Sequence, residues 1–120
     1  MPVDLQAAFA AVEAPWTPLI VGALNGQHVK VARLEGSFVW HHHADADELF
    51  LVIEGRLTMR YRDRDDEVLE PGQLTIVPRG VEHLPEALEG PVQVVLFEPA
   101  GTVNTGSAGG DRTVDPERWG

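Results

Sequence analysis

Trp40 to Gly55 reads WHHHADADELFLVIEG, which fits a strand, a tight polar turn and a second strand. Successive side chains of a strand point to opposite faces, so His41 and His43 share one face and His42 takes the other. The turn Ala44, Asp45, Ala46, Asp47 reverses the chain, and Glu48 opens the next strand close to both histidines. Leu49 to Ile53 continue that strand as an apolar run of the kind buried on both faces. Gly55, in Glu54-Gly55-Arg56, supplies the backbone conformation a hairpin turn needs.

Downstream, Glu70 to His83 reads EPGQLTIVPRGVEH. Pro71-Gly72 is a turn signal, Gln73 to Val77 a short strand rich in branched residues, and Pro78 to Gly80 a second turn ahead of His83. Average usage gives Gly, Pro and Gly at three set places a chance of roughly 2 in 10,000 per register. Together His41, His43, Glu48 and His83 supply three imidazoles and a carboxylate. That nitrogen and oxygen set suits a first-row metal with open coordination positions. Glu48 either ligates directly or orients a histidine from behind. An expression tag would not reproduce this spacing around a mid-chain HHH.

At these residues the chain resembles the cupin superfamily, whose first motif is Gly, five residues, His-x-His, three or four residues, Glu, six residues, Gly. The second motif is Gly, five residues, Pro-x-Gly, two residues, His, three residues, Asn. The matches run from Gly36 to Gly55 and from Gly72 to His83, with the short inter-motif stretch of small bacterial single-domain cupins. Two positions depart from the pattern: four residues separate Gly36 from His41, and Ala87 stands where the closing Asn would be. The resemblance implies a double-stranded β-helix, or jelly-roll barrel, with a divalent metal on His41, His43, Glu48 and His83. Iron, manganese, zinc, nickel and copper all accept this set. The segment EPAGTVNTG, Glu98 to Gly106, also resembles the end of many small cupins.

Outward from the motifs, Asp4 is placed to cap a short helix carrying Leu5, Ala8, Phe9 and Val12 on one face, ending before Pro15. Leu19 to Leu24 and His28 to Leu34 read as strands around Asn25-Gly26, a dipeptide preferred in two-residue hairpins. Further strands are expected at Ser37 to His43, Glu48 to Glu54, Leu57 to Arg62, Glu67 to Leu69, Gln73 to Val77 and Val92 to Glu98. Many short strands with one helical stretch argue for an all-β barrel or double-sheet jelly roll. The expected division is a helical segment over 1–16 packed on the barrel, the barrel over 17–99, and a Gly-, Ser- and Thr-rich loop or arm over 100–120.

Inside a barrel, Phe50, Val52, Thr75 and Val77 would line a pocket on the ligand side. Phe38 and Trp40 share the face opposite the ligands and read as packing or dimer-contact residues. His28 reads as structural or solvent-facing. Glu82, Glu86 and Glu98 are nearby acids without a spacing that demands a role.

A chain of 120 residues supports one core. Nineteen acidic against nine basic residues give a net charge of −10, a surface that repels nucleic acid and anionic lipid. The absence of cysteine excludes disulfides, thiolate zinc sites and a cysteine nucleophile. The start has no basic segment followed by a sustained apolar one, which sets the cytoplasm as the expected compartment. A homodimer is expected, since exposed strands need covering. Three functional classes fit: an isomerase-like or dioxygenase-like metalloenzyme acting on a small polar organic molecule, a non-catalytic binding or sensing module, and a fold that histidines merely stiffen. Fold and metal alone do not fix a reaction.

Overall fold

Asp4 begins the first element as the sequence predicts. Its carboxylate accepts hydrogen bonds from the Gln6 and Ala7 backbone N–H groups and caps helix α1 (Leu5–Ala10), satisfying donors that a helix start leaves open. The computed structural model describes residues 2–119. After α1 come strands β1 (Leu19–Leu24), β2 (Gln27–Ser37), β3 (Glu48–Glu54), β4 (Leu57–Tyr61), β5 (Glu67–Leu69), β6 (Leu74–Val77), β7 (His83–Pro99) and β8 (Glu117–Arg118). Asn25 and Gly26 have φ of 51° and 76°, the two-residue turn that matches the twist of the flanking strands.

Strand β7 organises the sheet. From Val92 its side chains alternate between buried and half-buried, the period of a strand with one face on a core. This half pairs antiparallel with β2 on one edge and β3 on the other, while its first residues pair with β4. Between the halves, Leu88 to Pro91 are exposed, and Gly90 has a φ of 124°. The predicted strand over Val92 to Glu98 thus begins nine residues earlier, at His83. Gly55 is required by close approach: at φ 89° a side-chain carbon there would lie 2.6 Å from the Pro91 carbonyl oxygen.

The expected jelly-roll barrel does not form. Strand order runs β5-β4-β7-β2-β1-β8, and β6 is attached through β3 as a branch off β7. Closing a barrel requires the two end strands to hydrogen-bond to one another, and β5 and β8 do not. The ends are short: the charged tract Arg62 to Asp66 and the Pro71-Gly72 turn confine β5, and β8 is a two-residue strand lying parallel to β1 in an otherwise antiparallel sheet. The result is an open, mixed sheet with one short helix. The expected strand over Ser37 to His43 is also corrected. Ser37 instead ends β2, opposite Glu86, and beyond it only His41 pairs, through an isolated bridge in which His41 and His83 exchange backbone hydrogen bonds of 3.1 and 2.9 Å.

One face of the sheet holds an apolar cluster that includes Leu34, Val52, Leu57, Met59, Val92 and Val94. Each such side chain contributes about 1.5–3 kcal/mol on burial. On the other face Ala8, Phe9 and Val12 of the N-terminal segment pack on Val31, with Trp119 of the tail against them. The tail is tied down as well, since Trp119 donates to the Ile20 carbonyl at 2.9 Å and Val114 to the Asn104 side chain at 3.0 Å. Among the described residues no helix is long and apolar enough to cross a membrane.

Candidate metal centre

Apart from Thr105, the buried polar residues among those described are Lys30, His41, His43, Glu48, His83 and Glu98. His83 starts β7 and Glu48 starts β3, while His41 and His43 lie on the segment that the His41 bridge pins beside β7. The two-residue alternation persists without a regular strand: His41 and His43 are buried and His42 turns away. His42 instead meets the tail, where its Nδ1 lies 2.9 Å from the Ser107 hydroxyl. Gly106 is obligatory at that junction, because a side-chain carbon would run into the His42 carbonyl oxygen and stand 3.0 Å from the His43 ring.

The four predicted residues converge. Their ligand-capable atoms all lie within 4.8 Å of one another, with His43 Nε2 3.3 Å and His83 Nε2 3.7 Å from Glu48 Oε1. His41 Nδ1 is 2.8 Å from the Val39 carbonyl and His83 Nδ1 is 2.9 Å from that of Val81. A carbonyl only accepts, so in each ring Nδ1 carries the proton and Nε2 presents a lone pair. His43 Nε2, His83 Nε2 and Glu48 Oε1 are buried and have no hydrogen-bond partner. Buried polar atoms left unpaired in this way are costly. A shared cation would satisfy all of them. Two ligands each about 2.1 Å from one ion lie about 3.0–4.2 Å apart, so the cluster fits one with small side-chain adjustments.

Electrostatics favour the ligand forms. Burial, reinforced by the His83 ring, lowers His41 to about 4, so the imidazole is neutral at pH 7. For Glu48, burial alone would raise the pKa. Contacts with the Glu98 carboxyl and the His43 and His83 rings outweigh it and hold Glu48 well below the usual carboxylate range. Glu98 moves the opposite way, up to about 9, because it is buried and faces the Glu48 charge, and the Lys30 ammonium 2.8 Å away does not compensate.

A cavity of about 40 Å³ opens beside His41, Glu48 and Glu98. Of the expected wall residues only Phe50 lines it; Val52 and Val77 belong to the apolar cluster. Thr75 instead hydrogen-bonds Glu67 at 2.8 Å and lines a groove beside β5. Phe38, expected on the opposite face, lines the cavity, stacking on Trp16 with centroids 4.7 Å apart. Trp16 and Asn104 arrive from the chain's two ends, and nothing local in the sequence marks them. Lys30 and Glu98 were legible in principle. Lys30, Ala32 and Leu34 share one phase of β2, and Val92, Val94, Leu96 and Glu98 one phase of β7, so both charges fall on the buried face.

The chain belongs to the cupin family, whose domain model matches residues 27–98. It is 36% identical over 63 residues to the uncharacterized protein YdbB of Bacillus subtilis (strain 168), covering 52% of this chain and 56% of that one. Against germin-like protein 1 of Brassica napus it is 32% identical over 83 residues, covering 60% and 40%. The chain thus spans about half the length of these curated relatives. Among solved structures, a cupin-2 domain containing protein from Shewanella frigidimarina superposes with a TM-score of 0.76 at 36% identity, covering 81% of this chain and 93% of that one. Protein NMB1881 from Neisseria meningitidis gives 0.74 at 26% identity, covering 83% and 100%.

Proposed function

We propose that His41, His43, Glu48 and His83 hold a divalent transition-metal ion, and that the adjoining cavity presents a small polar organic molecule to it. The single observation that carries this reading is the convergence of four buried donor groups, three of them with an atom that has no hydrogen-bond partner. A divalent ion bound there supplies Lewis-acid polarisation of a ligand oxygen. The chain's own part is to hold the His41 and His83 lone pairs in place through the Val39 and Val81 carbonyls, and to wall the cavity with Phe38 and Phe50. Glu98 on the same wall favours turnover, isomerase-like or dioxygenase-like, over simple retention, because it adds a carboxyl able to give or take a proton.

The test is metal analysis of protein purified without added ions. Wild type is expected to carry about one ion per chain, His41→Ala and His43→Ala to lose it with a drop in melting temperature, and His42→Ala to keep it. Equal loss in all three variants would refute the assignment. The reading includes a homodimer, supported by the free edge of β6, where Leu74 and Ile76 are 53% and 55% exposed.

A further inference from the structure

Lys30 donates a hydrogen bond to Glu98, with both side chains 3% exposed and Nζ 2.8 Å from Oε1. Burying an ammonium against a carboxyl is costly, and apolar residues of similar volume often serve stability as well or better. The pair therefore calls for a role other than holding β2 to β7, which the backbone ladder already does. Glu98 also lines the cavity beside Glu48 and His41, and its second oxygen, Oε2, is buried without a protein donor. Of the other cavity walls named above, Trp16, Phe38 and Phe50 are aromatic and Asn104 is an uncharged amide.

Resting on the metal-binding reading, we infer that Lys30 and Glu98 form a ligand-recognition subsite in which Glu98 pairs with a hydroxyl of a small acyclic hydroxy acid or hydroxycarbonyl compound whose other oxygen group faces the four-residue cluster. A hydroxyl both donates and accepts, so it satisfies Glu98 whether that carboxyl is charged or protonated. Size narrows the class. The cavity of about 40 Å³ is well below the roughly 150 Å³ that accepts a benzene ring, whereas a two-carbon hydroxy acid is of the right scale. Lys30 fixes the carboxyl by its bond to Oε1, leaving Oε2 as the recognising atom.

The experiment is calorimetric titration of the metal-loaded protein with glycolate and with acetate, which lacks the hydroxyl. Lys30→Met/Glu98→Leu removes the pair without leaving one partner unpaired. Metal content should stay at the wild-type level, glycolate affinity should fall by about tenfold or more, and acetate affinity should hold. Glu98→Gln, which keeps the volume and the Lys30 contact, should shift glycolate in the same direction by less, and serves if the double variant does not fold. Undetectable glycolate binding to wild type, equal weakening of both acids, or loss of metal from the double variant would each overturn the inference. Wild type without metal would instead overturn the reading on which it rests.

Discussion

His41 shows how a single ring couples the site to stability. Its pKa is about 4 in the folded chain against the ordinary 6.5, so between those values the unfolded chain takes up a proton that the folded chain refuses. The share of the metal-free protein's stability that this ring controls is therefore complete above pH 6.5 and declines as pH falls through this window, by about 3 kcal/mol. Thermal melts of metal-free wild type and His41→Gln should differ by an amount that falls across this window as pH is lowered, and a difference constant with pH would contradict it. Metal retention should weaken over the same range, since protons compete for the imidazoles. The four-residue cluster was legible because it sits in two short segments whose alternation survives even where no regular strand forms. The burial of Glu98 could be read from its strand phase, but its place in the site could not, because that depends on Glu48, fifty residues away, sharing its cavity.

Among the elements, α1 and the β3–β4 turn carry separable loads. Phe9 is 5% exposed between the helix and the sheet, so Phe9→Ala should cost about 3 kcal/mol or more, read as a lower urea midpoint with metal stoichiometry intact. Gly55→Ala combines a left-handed backbone with a 2.6 Å encounter at Pro91 and should cost at least about 2 kcal/mol. An unchanged melting temperature in that variant would contradict the close approach. Strand positions were largely readable from turn residues and alternation. The early start of β7 was not, because Pro85 and the Leu88 to Pro91 excursion disguise a strand whose pairing partners lie elsewhere in the chain.

For the whole molecule, periodicity reports which residues are buried and says little about which strands bond to which. An all-β sheet was therefore foreseeable, and its open edges were not: closure depends on whether β5 and β8 meet, a property of neither segment alone. The proposed homodimer would cover β6. Light scattering should give twice the chain mass, and Leu74→Lys/Ile76→Lys should yield monomers with metal content unchanged; a monomeric wild type would rule the homodimer out.

One strand bears His83 at its beginning and Glu98 near its end, with the exposed Leu88 to Pro91 excursion between them. A protease nicking that excursion would leave the ring on one fragment and the carboxyl on the other. The two pieces could then complement each other only by rebuilding the shared pocket. If the proposed ion binds, cutting there would turn this protein into a split reporter whose reassembly the ion drives, readable without any substrate.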